Sequence, residues 1–87
     1  MAERRMFSKS IIESDDFLDM PMSTQSLYFH LLGRADDDGF VSGVKRTMRM
    51  LGASDDDLKI LLAKQYLIPF DDNVVFVKHW LIHNYIQ

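Results

Sequence analysis

The sequence contains no cysteine among its 87 residues. This absence excludes a disulfide framework and any zinc site built on thiolates, and it suits a reducing compartment. Only four glycines and two prolines are present, and the glycines form neither a phosphate-cradling loop nor the G-x-G-x-x-G fingerprint of a dinucleotide site. No long apolar run follows the basic start of the chain, so neither a signal peptide nor a membrane span is predicted.

The bulk composition predicts one small domain. A chain of 87 residues, 47% of them hydrophobic, is long enough for one core and too short for two. The formal net charge of -3 argues against nucleic-acid binding through the overall field, although a local basic stripe on an acidic body remains open. Residues 79–87, HWLIHNYIQ, are still apolar, with no turn chemistry to close them. We therefore expect the N-terminal fragment of a longer protein, cytoplasmic and without contact with a membrane.

Serine caps and apolar spacing predict helices in the first third of the chain. Ser8 and Ser14 are candidate N-caps of two short helical turns, which Met20 and Pro21 bring to an end. Ser23 is the expected cap of a longer helix over residues 23–35. Its buried stripe is predicted to be Leu27, Tyr28, Leu31 and Leu32.

Two turns separate the predicted strands from their neighbours. Three aspartates followed by Gly39 predict a tight turn in which the glycine takes a left-handed conformation, and Phe40 and Val41 then form a minimal strand. Further along, residues 66–70, 71–73 and 74–80 predict a strand, a turn and a second strand. Alternation in the second strand predicts a buried face of Val75, Val77 and His79 and a freer face of Phe76, Lys78 and Trp80.

Two more helices are predicted between these strands. Ser42 is the expected cap of the first, and Gly52 is suited to its C-terminus. Ser54 is the expected cap of the second, which opens with three aspartates at 55–57. Carboxylates in a first helical turn meet the positive end of the helix dipole and stabilise it by about 0.3 to 1 kcal/mol each. The aspartates therefore have a structural reason to exist, although they stand where a DNA backbone would approach.

The order of these elements predicts an α+β, mainly helical fold. A helix, a short strand, a helix, a tight turn, a helix and a two-stranded hairpin follow one another in the order of a winged helix-turn-helix. The complete prediction is a single winged-helix domain over residues 1–87, with a short N-terminal helical extension and a two-stranded wing.

No constellation of residues predicts catalysis or metal binding. The two aspartate triplets lack the alternating oxygen ligands and distant glutamate of a calcium loop, and turn and capping roles account for them. His79 and His83 have the spacing of a metal pair only on a helix, no third ligand is near in sequence, and packing beside aromatic residues is the simpler interpretation. We expect neither an enzyme nor a bound cofactor or metal.

Positive charge is concentrated in two places. Lys45, Arg46 and Arg49 lie on the helix before Gly52, with no acidic residue among 39–54. Lys45 and Arg49, four residues apart, share one face and could clamp one DNA strand through its phosphates. A solvated helix face explains this group nearly as well. The remaining candidate phosphate contacts are Arg4, Arg5, Lys9, Lys59 and Lys78.

The helix that opens with the aspartates is a poor reader of bases. Leu58, Leu61 and Leu62 set its buried direction on a helical wheel. Its outward face is then Asp56, Lys59, Ile60 and Ala63. This face lacks Arg, Asn and Gln, which read guanine and adenine in the major groove. An outward Ile60 near Tyr66 suggests a protein contact instead, although burial is the ordinary alternative.

Four segments together resemble the N-terminal domain of phage replisome organisers. They are RRMFSKSIIESDDFLDMP (4–21), STQSLYFHLLGRADDDGFV (23–41), RMLGASDDDLKILLAK (49–64) and VKHWLIHNYIQ (77–87). These proteins are DnaD-like replication initiators of Gram-positive phages and prophages. The resemblance implies a winged helix, recognition of phage origin DNA in a bacterial host cell, and a separate C-terminal portion that engages the helicase or its loader. It does not imply which residues contact DNA.

Two functions remain open at this point. The first is a DNA-binding winged helix, whose affinity for double-stranded origin DNA falls steeply with salt. The second is a winged helix for self-association or for contact with another replication protein, with little DNA affinity of its own. The candidate interface residues of the second are Phe7, Ile11, Ile60 and Tyr66.

Overall fold

The structure, a computed structural model, describes residues 6–84 and contains six helices and three strands within them. The helices are α1 (Lys9–Ile12), α2 (Asp15–Leu18), α3 (Met22–Gly33), α4 (Val44–Leu51), α5 (Asp55–Ala63) and α6 (Trp80–His83). The strands are β1 (Phe40–Ser42), β2 (Leu67–Asp71) and β3 (Val74–Val77). About half of the described residues are helical, and the predicted α+β class is confirmed.

The strands form one antiparallel sheet with β3 in the middle, in the order β1-β3-β2. Phe40 and Ile68 lie opposite Phe76 from the two sides. The register of β2 shifts between Pro69 and Asp71, which leaves Phe70 as an extra residue in a bulge. The predicted strand at Phe40 and the predicted hairpin are therefore both present.

The chain leaves the sheet earlier than its alternation predicts. β3 ends at Val77, His79 precedes α6, and Trp80 begins that helix instead of ending a strand. Trp80 is 4% exposed, and its indole Nε1–H donates to the Asp37 carbonyl oxygen at 3.1 Å. A Cβ on Gly39, which has φ +91°, would lie 2.6 Å from Trp80 Cγ. The left-handed Gly39 is thus confirmed, whereas the assignment of Trp80 to a freer strand face is wrong.

Helix α3 is the central helix of the domain. The predicted stripe is confirmed, since Leu27, Tyr28, Leu31 and Leu32 are at most 2% exposed. The predicted cap is wrong, because Pro21 is the N-cap and Ser23 lies inside the first turn. The Ser23 hydroxyl instead donates to Asp57 of α5 at 2.9 Å.

Helix α4 begins and ends next to a glycine in a left-handed conformation. Its N-cap is Gly43, not the predicted Ser42. The missing cap is supplied by Asn73 of the hairpin turn, whose Oδ1 accepts the Lys45 N–H at 2.9 Å and whose carbonyl accepts the Val44 N–H at 3.3 Å. Its C-cap is Gly52 in a left-handed conformation, as predicted. The hairpin turn is consequently fastened to the start of α4.

The N-terminal extension packs against the C-terminal helix. Ser14 caps α2 by accepting the Phe17 N–H, as predicted, whereas Ser8 occupies the N-cap position of α1 without a side-chain cap bond. The Ser8 backbone N–H instead donates to His83 Nδ1 at 2.8 Å. The two ends of the described chain therefore meet, although 75 residues separate these partners.

The core lies between α3, α5 and the inner face of the sheet. The sheet contributes Val41, Leu67, Val75 and Val77, each at most 5% exposed. An aromatic group joins α2, α3 and the start of β2, since Phe17, Tyr28 and Tyr66 make edge-on ring contacts at 5.5–5.7 Å. The prediction of one buried sheet face is correct for the valines.

Candidate nucleic-acid interface

Helix α4 presents its cations to solvent because its apolar residues face the core. Val44 and Met48 are at most 5% exposed, so Lys45, Arg46 and Arg49 point away from the interior. The structure therefore brings together three of the predicted DNA contacts on one helix. Because Lys45 and Arg49 lie one turn apart, their head groups can reach neighbouring phosphates of one strand.

A cavity of about 470 Å³ lies beside these cations, between α4 and α5. Lys45, Met48 and Arg49 line it from α4, and Asp55 and Leu58 line it from α5. Gly52 and Ala53 of the short link between the helices also line it. This groove is mixed in charge, because one carboxylate faces two cations across it.

The cations differ in how they are paired. Lys45 Nζ lies 3.2 Å from Asp72 Oδ2 of the hairpin turn, and both side chains are well exposed, at 62% and 96%. Exposed pairs of this kind contribute at most about 1 kcal/mol, so a phosphate can replace the carboxylate at little cost. Within residues 6–84, Arg46 and Arg49 form no ion pair. The two arginines are therefore the cations most available to an anionic ligand.

The three aspartates at the start of α5 are not equivalent. Asp55 and Asp56 are exposed in the first turn, whereas Asp57 is 6% exposed. Asp57 Oδ1 accepts hydrogen bonds from Ser23 Oγ at 2.9 Å and Thr24 Oγ1 at 2.8 Å. The Asp57 N–H also donates to Ser54 Oγ, so the predicted cap of α5 is confirmed.

Burial and hydrogen bonding have opposite effects on the pKa of Asp57. Burial raises it, but the hydrogen bonds from Thr24, Ser23 and Ser54 lower it by more, and the net pKa lies below the usual value. The charged carboxylate therefore fastens α5 to α3. Only two of the three acidic side chains are therefore exposed on the surface.

The exposed face of α5 agrees with the prediction except at one position. Asp56, Lys59 and Ala63 are exposed, and Leu61 is fully buried. Ile60 is half-buried and packs against the core, so its outward placement is wrong. Lys59 is the predicted cation on this face, and it lies one turn into the helix.

Within the described residues, Lys78 and Lys9 do not join the group on α4. Lys78 follows β3 at the end away from the hairpin turn, and its Nζ lies 3.3 Å from Gln65 Oε1. Since a strand rises about 3.3 Å per residue, Lys78 is separated from the α4 cations by the length of the sheet. Lys9 is exposed on α1, in the N-terminal extension. Arg4 and Arg5 lie outside the described residues.

The predicted protein-interface residues are mostly packed within the domain. Phe7 is 43% exposed, and its ring lies 5.0 Å from that of Phe29. Ile11 is half-buried against the core. Tyr66 is 4% exposed and donates its hydroxyl to Asp16 at 2.8 Å, so its assignment to a surface is wrong. The reason is tertiary, because α2 covers the end of α5 and supplies that carboxylate.

The sequence interpretation missed an apolar group on the outer face of the sheet. Phe40, Ile68, Phe70 and Phe76 lie there, opposite the buried valines. A signal was available, because Phe76 lies on the predicted freer face of residues 74–80, at a position where polar residues are usual.

Comparisons of the chain with protein-family descriptions, with curated proteins and with solved structures gave no match. No helix within residues 6–84 has the length and apolar character needed to cross a membrane. In the same part of the chain, no three His, Asp or Glu side chains are grouped so as to hold a metal ion.

Proposed function

We propose that the chain is a DNA-binding winged helix-turn-helix domain of a phage replication initiator. The observation that carries this proposal is the exposed group of Lys45, Arg46 and Arg49 on α4, beside the tight turn into α5. Three like charges on a helix of eight residues form a local basic stripe on an acidic protein. Such a stripe binds phosphates without requiring a basic protein overall.

The order of the elements supports the winged-helix assignment. From α3 to β3 the chain runs helix, strand, helix, helix, strand, strand, and β1 pairs with β3 in the sheet. In this assignment α4 and α5 form the helix-turn-helix and the β2–β3 hairpin forms the wing. This wing is short, and its turn is fastened to α4 through Asn73.

The placement of charge favours docking through α4 over insertion of the start of α5. If the N-terminus of α5 entered a DNA groove, the carboxylates of Asp55 and Asp56 would come close to the phosphates, and these like charges repel each other. Arg46 and Arg49 contact the backbone without bringing those carboxylates to the bases. Phosphate contacts of this kind fix the position of a protein on DNA and carry no sequence information directly. Any preference for origin DNA then depends on Lys59 or on DNA shape.

The role of the whole protein follows from the resemblance of four sequence segments to replisome organisers. In that setting the domain recognises the phage origin in the cytoplasm of the bacterial host. A C-terminal portion beyond residue 87 recruits the helicase or its loader.

Fluorescence anisotropy tests DNA binding directly. The domain is titrated onto a phage-origin duplex and a random duplex at two salt concentrations. Neutralising three phosphates gives a slope of log affinity against log salt near -2.7, so affinity falls roughly 40-fold for a fourfold rise in salt. Replacing Arg46 and Arg49 together by alanine should reduce the slope by about 1.8.

The matched control is the double replacement of Arg34 and Lys64 by alanine. It changes the net charge equally and leaves α4 intact, so it should retain the wild-type salt slope. Equal DNA binding by the Arg46 and Arg49 double variant would show that α4 is not the contact surface. Absence of wild-type binding at low salt would reject the DNA-binding function itself.

A second candidate function is self-association or contact with another replication protein, with little DNA affinity. The observation that favours it is apolar exposure near the two ends of the described chain. Met6 and Phe7 are 44% and 43% exposed, and Leu81 and Ile82 of α6 are 77% and 51% exposed. Sedimentation velocity at low and high salt tests it, because an apolar interface predicts a dimer that persists in high salt.

A further inference from the structure

The outer face of the sheet carries a continuous aromatic cluster. Phe40, Phe76 and Ile68 lie side by side across the three strands. The Phe40 ring centroid lies 5.1 Å from that of Phe76 and 5.3 Å from that of Phe70. The bulge in β2 therefore adds a third phenylalanine to this face.

This aromatic cluster is open to solvent. Phe70 is 69% exposed and Ile68 is 42% exposed, while Phe40 and Phe76 are half-buried. A cavity of about 580 Å³ lies beside the cluster. It is lined by Arg34, Ala35, Asp36, Phe40, Ser42, Phe70 and Val74. Contiguous exposed apolar surface next to a concavity is typical of a binding site for another molecule.

Carboxylates border the cluster at both ends of the sheet. Asp36 lines the cavity, and exposed Asp38 precedes Phe40 by two residues. At the other end, exposed Asp71 directly follows Phe70. Two cations also border the cluster: Arg34, whose Nη1 donates to the His30 carbonyl oxygen at 3.2 Å, and exposed Lys78, two residues after Phe76, whose Nζ donates to Gln65 Oε1 at 3.3 Å. The carboxylates of Asp36, Asp38 and Asp71 outnumber these two cations, so the border is acidic on balance and complements a basic partner.

The same charges disfavour the other occupants of an apolar face. A second copy stacked on this face would bring two acidic borders together, and like charges across an interface weaken association. DNA and an anionic lipid surface would meet the same repulsion. Charge thus selects a partner that carries lysine or arginine around its apolar residues.

The edge of the sheet restricts how this partner can dock. Lys78 donates its backbone N–H to the Tyr66 carbonyl oxygen, and hydrogen-bonding direction alternates along a strand. The nitrogen of Pro69 therefore lies on the free edge of β2, where a proline has no N–H to donate. Addition of a fourth strand at β2 is therefore disfavoured. At the other edge, on β1, the Phe40 N–H and carbonyl oxygen are already bonded to Asp36. Strand addition is thus disfavoured at both edges, and the open face is the more accessible docking surface.

We propose that the outer face of the sheet binds a protein segment whose apolar side chains are flanked by lysines or arginines. The Phe70 ring enters between those apolar side chains, and the acidic border meets the flanking cations. This surface uses neither Arg46 nor Arg49, so it can act whether or not the domain binds DNA.

The test uses two synthetic amphipathic peptides of equal length, one of leucine and lysine and one of leucine and glutamate. Isothermal titration gives the affinities, and amide shifts in ¹⁵N NMR spectra locate the site. The leucine–lysine peptide should bind and shift the resonances of β1, β2 and β3. Phe70→Ser should weaken this binding at least about tenfold, as for a central aromatic contact.

A control variant and a charge variant accompany Phe70→Ser. Met22→Ser removes another exposed apolar side chain, 78% exposed on α3 against 69% for Phe70, and should leave binding unchanged. Asp36→Asn combined with Asp71→Asn keeps the side-chain acceptors and removes two charges, and should weaken binding about threefold to tenfold.

Three outcomes would overturn the proposal. They are equal binding of the leucine–glutamate peptide, binding of the leucine–lysine peptide that survives Phe70→Ser, and a wild-type dimer that Phe70→Ser dissociates. The last would assign the face to a second copy. DNA anisotropy of Phe70→Ser, expected to match the wild type, separates this surface from the one on α4.

Discussion

At the scale of single residues, the three consecutive aspartates of α5 show that identical side chains have different roles. Asp55 and Asp56 interact with the dipole of α5 and with solvent. Asp57 is buried and accepts hydrogen bonds from Ser23 and Thr24, the latter fully buried. Loss of the Asp57 carboxylate would leave a buried hydroxyl without its acceptor, and such a group costs about 1–3 kcal/mol.

Asp57→Ala should therefore lower the free energy of unfolding by about 1–3 kcal/mol, since it removes the acceptor of the Ser23 and Thr24 hydroxyls. Chemical denaturation with urea measures the change. The matched control is Asp55→Ala, which removes an exposed carboxylate of the same turn and should cost at most about 1 kcal/mol. Equal losses for the two variants would mean that the dipole, and not the bond to α3, is what Asp57 contributes.

At the scale of elements, α4 depends on both of its ends. Its start is held by Asn73 from the hairpin turn, and its end by Gly52 with φ +70°. The Gly52 N–H donates to the Arg49 carbonyl, and the next N–H donates to the Met48 carbonyl. These bonds satisfy carbonyls that the last turn of a helix otherwise leaves free. The two ends of α4, which carries the basic stripe, are thus fixed by Asn73 and Gly52.

Two glycine substitutions should have opposite effects on stability. A Cβ at either Gly52 or Gly33 would meet no atom within 4 Å, so only the backbone decides the outcome. Gly52→Ala should destabilise the domain by about 1–2 kcal/mol, because an L-residue is strained in the left-handed conformation. Gly33→Ala, at the end of α3, should stabilise it by about 0.4–1 kcal/mol by restricting the unfolded chain.

Thermal unfolding of both variants gives the comparison. A stabilising Gly52→Ala would contradict the role assigned to this helix end. Fraying of α4 would also weaken the phosphate contacts proposed for Lys45 and Arg49.

At the scale of the whole molecule, His83 joins the two ends of the described chain. Its Nδ1 accepts the Ser8 N–H, so the ring proton of the neutral form lies on Nε2, 2.7 Å from the Tyr28 hydroxyl. Burial, and to a lesser degree nearby His79, lower the pKa of His83 to about 4. Protonation of Nδ1 would remove the acceptor for Ser8 and place a charge in the core.

The free energy of unfolding should accordingly depend on pH through His83. In the unfolded chain His83 binds its proton near pH 6.5, whereas in the folded chain it does so only near pH 4. The contribution of neutral His83 to the free energy of unfolding is therefore fully present above pH 6.5 and is lost as the pH falls towards 4. We expect a loss of about 1–3 kcal/mol across this interval. Burial and Lys78 also lower the pKa of His79, which contributes in the same direction.

NMR titration of the imidazole resonances isolates His83 from His79. The expected midpoint for His83 is near pH 4. His83→Asn, which retains an acceptor for the Ser8 N–H, should remove most of the pH dependence measured by urea denaturation. A His83 midpoint near 6.5 would mean that the N-terminal extension does not cover the ring in solution.

Much of the fold could be predicted from the sequence, because its signals are local. Ser14, Ser54 and Gly52 act on groups within five residues, and the stripe of α3 repeats within a single helix. The group of cations on α4 was predictable for the same reason. The cap supplied by Asn73 was not, since 28 residues separate it from the Lys45 N–H.

The sequence by itself determined the elements from α1 to β3, their order and the basic face of α4, because hydrogen bonds and periodicity over a few residues are sufficient for these. It did not determine α6, since the alternation of residues 74–80 continues the strand through Trp80. Only the tertiary structure decided that Asp57 is buried while its neighbours are exposed, and that Tyr66 lies under α2 instead of at an interface. It also decided that Phe40, Phe70 and Phe76 meet on an open face. Each of these outcomes depends on contacts between residues distant in the chain, whereas alternation within one strand shows only which of its residues share a face.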